Sequence, residues 1–258
     1  MAKGLARRGA WFHTEVLGTR GFAMERREGS QTAASPLTAT LERLTDPDPP
    51  SDESLYVLSY MGLRKAVGII GLALPIALLV GKPLVDGGGM LGSISAYYYT
   101  GMQNYFVGTL CALAVFLFSY KYAPRDNLLS TLASVFALGV VFFPTTPSGE
   151  DTTWTGRAHL VCAISFFLTL AVIAYFVFTR PPLPKEQLEP RKCTRNKIYR
   201  ICGVTIVVSL ALAPLLDLVL SDAVRDQIHP LFWLESIAVW AFSFSWMIKG
   251  DLIPLLRD

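Results

Sequence analysis

The sequence predicts an all-α integral membrane bundle of six transmembrane helices, with N- and C-termini both cytoplasmic. Three observations carry that prediction. Mean hydropathy is +0.42, and only 17% of the 258 residues are charged while 52% are hydrophobic; soluble domains of this length are nearer a quarter charged. Six apolar stretches can be drawn between Arg64 and Lys249. Lysine and arginine gather in alternate loops.

Taken in order, residues 1–60 are rich in Gly, Ser, Thr, Pro, Arg and Glu, with the turn-rich, acidic TDPDPPSDES at 45–54. Such a composition buries too little apolar surface to order itself, so a poorly ordered cytoplasmic segment is expected. Its start is basic but lacks the unbroken apolar core of a secretory signal. Met24, opening MERREGS, is a second candidate start. The six-helix domain is expected over 61–250, followed by a short cytoplasmic tail at 251–258.

The first span is placed at Lys65–Gly81, with Pro75 as a kink that neighbouring helices can tolerate. The others are Met102–Tyr120, Leu128–Phe143 (ended by Pro144), Arg157–Thr179, Ile198–Leu220 and Phe232–Ile248. Most approach the roughly 20 residues that a ~30 Å hydrocarbon core requires. The loop after span four carries Arg180, Lys185, Arg191, Lys192, Arg195, Lys197 and Arg200, whereas the opposite loops hold only Lys82, Arg157 and Arg225. Short basic loops stay cytoplasmic, which puts both termini inside.

The outer loops then fall at about 82–101, 144–156 and 221–231. The first is KPLVDGGGMLGSISAYYYTG, and it reads either as an interfacial tyrosine belt or as a re-entrant segment covering a pocket. His159, Asp217 and Glu235 lie near the outer ends of three different spans, at depths differing by only a few Å, and His229 sits just above them. Ionisable groups at membrane depth are costly, so their coincidence marks a candidate site. Ser93, Ser95, Tyr97, Tyr99, His159, Asp217 and Glu235 are its candidate ligand-binding residues. Arg157 or Arg225 pairing with a carboxylate would instead make a structural clamp.

The chemistry open to such a set is limited. Zinc is disfavoured because no HxxxH or HExxH spacing exists, so no metal or cofactor is expected. A Ser93 or Ser95 nucleophile with His159 as base lacks a nucleophile elbow. Proton-coupled transport would prefer titratable groups near the midplane, where the spans are apolar. Recognition of a lipid headgroup or small amphiphile by an outer pocket remains the leading expectation, without enzymatic activity. No basic stripe with interleaved aromatics points to nucleic acid, so membrane lipids are the expected partners.

Within span six, Glu235, Val239, Phe242 and Trp246 share one helical stripe, and Ser236, Ser243 and Ser245 suggest close packing. Gly108 and Ala112 suggest the same for span two; such faces could also meet a second copy or another membrane protein. Cys111, Cys162, Cys193 and Cys202 show no CxxC spacing and no outer-loop pair, so free thiols are expected.

GSISAYYYTGMQNYFVGTLCALAVFLFSYKY, FFPT at 142–145, GRAH at 156–159 and WLESIAVWAFSFSWMIKG resemble an uncharacterised family of bacterial six-helix membrane proteins. That family is distantly similar to the eukaryotic DRAM and Sfk-type superfamily, whose members are implicated in lipid or GPI-anchor handling and autophagy. The resemblance covers residues 60–250 and implies a multi-pass protein of the bacterial cytoplasmic membrane. It supplies no catalytic residues. The paired transmembrane histidines of alkaline ceramidase-like proteins are missing.

Overall fold

The computed structural model describes residues 52–120, 124–180 and 190–256. Among them the secondary structure is entirely helical. Helix α1 runs Asp52–Val85, α2 Gln103–Ser119, α3 Pro124–Phe142, α4 Trp154–Val172, α5 Pro190–Val219, α6 Asp222–Ile228 and α7 Pro230–Lys249. A 3-10 turn occupies Ser95–Tyr99, a π turn extends α4 over Ile173–Val177, and another 3-10 turn lies at Pro254–Leu256. Most of the expected poorly ordered segment, residues 1–51, lies outside the described residues. Its end, 52–60, is helical and continues α1, which therefore begins well before the expected Lys65.

Four stretches are long and apolar enough to cross a membrane: Met61–Val85, Trp154–Val177, Arg191–Val219 and Pro230–Lys249. Two apolar helices are shorter, Gln103–Ser119 and Asn127–Phe142. Apolar residues face outward as well as inward. On α1, Val67, Leu74 and Leu78 are buried on one face, yet Ile69, Ile76 and Val80 are exposed on the others. Leu160 and Val161 of α4 and Ile201, Val204 and Val208 of α5 are exposed in the same way. A helix apolar all round suits a hydrocarbon solvent.

Each long helix packs against its neighbour in sequence, and α7 closes the circuit by packing on both α5 and α1. The result is a ring of six helices, with α4 and α7 touching only sparingly across it. Small residues set the α1–α7 spacing. A Cβ on Gly71 would strike the Ser243 hydroxyl, and one on Gly68 would sit 3.0 Å from the Ser243 carbonyl oxygen. Ser243, Ser236 and Ser245 are fully buried and return their hydroxyls to carbonyls of their own helix. They are packing residues, as their spacing suggests. Gly108 does not fit that pattern: it is exposed and would meet nothing within 4 Å. Gly71→Leu is expected to push α1 off α7 and abolish a monodisperse peak on size-exclusion chromatography, whereas Gly108→Leu leaves the peak unchanged.

The two ends of the ring are held differently. At the basic end, Trp246 is 1% exposed, with the Tyr120, Phe178 and Phe242 rings at 4.9, 5.3 and 5.9 Å. Two arginines cap the C-terminus of α7 there. Arg195 of α5 donates to the Ile248 carbonyl at 3.4 Å, and Arg64 of α1 donates to the Lys249 carbonyl at 3.4 Å. Carbonyls at a helix C-terminus lack intrahelical donors and carry partial negative charge, so cations stabilise them. Arg195, 3% exposed, also reaches the Tyr199 hydroxyl at 3.3 Å and Asp251 at 3.5 Å.

Candidate functional site

The opposite end is organised by the first interhelical loop. Gly87 and Gly88 adopt φ of 71° and 77°, conformations that side chains penalise. The chain then docks against the start of α7 through two crossed bonds. Phe232 N–H, one of the donors a helix N-terminus leaves unpaired, bonds the Gly92 carbonyl at 2.9 Å. Ile94 N–H donates to a Glu235 carboxylate oxygen at 2.6 Å, and the Ser95 N–H is also directed at that carboxylate. Glu235 therefore caps the 3-10 turn from outside.

His159 is buried on α4 and is held by α3. Its Nδ1 lies 2.8 Å from the Phe143 carbonyl and 3.2 Å from that of Val140. The Val140 carbonyl needs an outside donor because the residue four positions later is Pro144, which has no N–H. Two carbonyl partners make Nδ1 the protonated nitrogen and leave Nε2 as an acceptor. His159 and Glu235 each stand five residues into their helices, about 8 Å along the axis.

These groups meet at a cavity of about 50 Å³ inside the ring. Ser95, His159 and Glu235 supply its polar side chains. The rest of the wall is Leu74 of α1, Ile94 of the loop, Phe106, Leu110 and Leu113 of α2, Val140 of α3, Ala163, Phe166, Phe167 and Leu170 of α4, and Val239 and Phe242 of α7. Glu235 is half-buried and contributes to the wall of this space. The chemistry is that of an apolar chamber with a few oriented polar groups at one end, the usual make-up of a small-molecule site.

The other candidate residues serve elsewhere. Ser93 bonds Ser95 through their hydroxyls at 3.1 Å and accepts the Ala96 N–H at 3.1 Å. Tyr97 is wholly buried, packs on Phe232 at 5.9 Å and accepts the Leu91 N–H at 3.5 Å. Burial pushes its phenol above the ordinary value, so it stays protonated. Tyr99, 48% exposed, donates to the Thr145 carbonyl at 2.5 Å and ties two loops of this end together.

Asp217 does not join the cavity. It is exposed and pairs with Arg225, which also bonds Asp222. The reason lies in α5: Ser209 is its last buried residue, and the stretch beyond, containing Pro214, packs too loosely to bring Asp217 inward. His229 takes a left-handed conformation at the α6–α7 junction and is absent from the cavity wall. Asp217→Asn is expected to leave the thermal midpoint unchanged, since an exposed ion pair contributes little.

No hydrogen bond joins Ser93 or Ser95 to His159 among the described residues, so the contact a serine nucleophile would need is not formed. No cluster of three metal-ligating residues occurs among them. Phe106, Leu110, Phe166 and the Ile94 amide escaped the sequence reading, because an apolar side chain or a backbone N–H carries no signature of facing a cavity. No family model, curated protein or solved structure matches the chain.

Proposed function

We propose that this chain is a six-span protein of the bacterial cytoplasmic membrane, both termini cytoplasmic, that binds a small amphiphile in the cavity between Glu235 and His159. The cavity carries the reading: its polar groups are gathered at one end, and its remaining wall is apolar. A molecule with a polar head and a short apolar body is the complement of such a chamber. At about 50 Å³ the space suits a small amphiphile rather than a whole phospholipid.

The six-span arrangement is supported by the closed ring, in which the two shorter helices occupy the same circuit as the four long ones. Orientation is supported by Arg64, Arg191, Lys192, Arg195, Lys197, Arg200 and Lys249 at one end. Membership of the bacterial six-helix family is part of the same proposal.

Two measurements test it. In intact cells, an impermeant maleimide is expected to label Glu150→Cys and to spare the exposed native Cys193; the reverse pattern overturns the orientation. Ala163→Phe fills the cavity and is expected to strip co-purifying amphiphile, read by mass spectrometry, without changing the elution volume. An unchanged profile of bound small molecules overturns the binding role.

A further inference from the structure

We infer that the cavity selects a primary ammonium as the head of its ligand, an inference that rests on the binding role proposed above. The two strongest polar groups of the wall, Glu235 and His159, each keep acceptor capacity after their bonds within the protein are counted. His159 commits Nδ1–H to the Phe143 and Val140 carbonyls at 2.8 and 3.2 Å, so the nitrogen left over, Nε2, offers a lone pair. Glu235 takes the Ile94 amide on one oxygen and has further lone pairs available, since a carboxylate accommodates about four.

The third group, the Ser95 hydroxyl, pairs with that of Ser93 at 3.1 Å and can either accept from or donate to a ligand. Among the described residues no lysine or arginine lines the cavity. A carboxylate or phosphate head would therefore meet a second negative charge and no cation to offset it. An alcohol has one proton to give to two committed acceptors, His159 and Glu235. A primary ammonium has three N–H donors and no acceptor, and its charge is matched by Glu235. A buried cation is tolerable only with such a partner. Below the head, Leu110, Leu113, Phe166 and Val239 offer a wall that only an alkyl or aryl body satisfies.

The test titrates the purified full chain with n-hexylamine, n-hexanol and hexanoate by calorimetry, subtracting heats into protein-free micelles. Hexylamine is expected to bind at least about 10-fold more tightly than hexanol, with hexanoate showing no saturable heat. Glu235→Gln keeps an oxygen for the Ile94 amide and removes the charge. It is expected to bring amine and alcohol within about twofold of each other while hexanol still binds. Hexanol or hexanoate binding as well as hexylamine to the unaltered chain overturns the ammonium assignment and leaves the pocket standing. Saturable binding by none of the three, or binding unaffected by Ala163→Phe, overturns the pocket itself. Retention of the amine preference in a monodisperse Glu235→Gln protein overturns the role of the carboxylate.

Discussion

Glu235→Leu is expected to loosen the whole loop-bearing end of the bundle. Leucine fills much of the same volume but accepts no hydrogen bond, so the Ile94 and Ser95 N–H groups lose the carboxylate they face. A buried amide left without a partner costs about 1–3 kcal/mol. The loss extends past that cost, because the same 3-10 turn carries Tyr97 into its buried seat against Phe232. Thermal unfolding in detergent should show a clearly lower midpoint, and amide exchange should accelerate first at Ile94 and Ser95. Glu235→Gln retains one acceptor oxygen and should recover most of the stability. Equal midpoints and exchange rates for the leucine variant and the parent would show that the carboxylate does not hold the turn.

Trp246→Ala is expected to be still more damaging, at the opposite end. Its side chain fills the space between α2, α4 and α7, with rings of Tyr120, Phe178 and Phe242 within 5.9 Å. Removing a buried tryptophan leaves a cavity and costs about 3–5 kcal/mol. In a membrane this loss is one of direct packing, since lipid tails are as apolar as the core and give no hydrophobic compensation. Trp246→Phe should lose noticeably less. A Trp246→Ala protein that unfolds at the parent temperature would refute the view that this ring cluster anchors the basic end.

The stripe of Glu235, Val239, Phe242 and Trp246 was legible in the sequence because helical period alone places those residues on one face. His159 and Glu235 were legible as a pair because 1.5 Å per residue converts position along a span into depth. Asp217 satisfied the same arithmetic and failed. Depth says nothing about rotation around the axis or about how far a helix end leans from its neighbours, and α5 packs loosely beyond Ser209. The glycines divide for the same reason. Gly71 faces Ser243 and Gly108 faces outward, although both lie in apolar helices.

The basic residues show the limit from another direction. Their distribution suggests which end faces the cytoplasm. It gives no hint that Arg64 and Arg195 would turn inward to cap α7 at Lys249 and Ile248. The N–H of Ile94 and the carbonyls of Val140 and Phe143, which position the two key side chains, are equally invisible, because every residue has such groups. One sequence signal did exist. Pro144 withholds a donor from the Val140 carbonyl, and a nearby histidine is the kind of group that supplies one.

By itself, then, the sequence determined an all-helical chain with long apolar segments and a short set of polar residues near one end. Those properties follow from hydropathy and period, which are local. Only the tertiary structure decided that Ser95, His159 and Glu235 share a chamber while Asp217 and Tyr99 do not. That outcome depends on which helices are neighbours and how each is rotated, and both are set by packing between residues far apart in the chain.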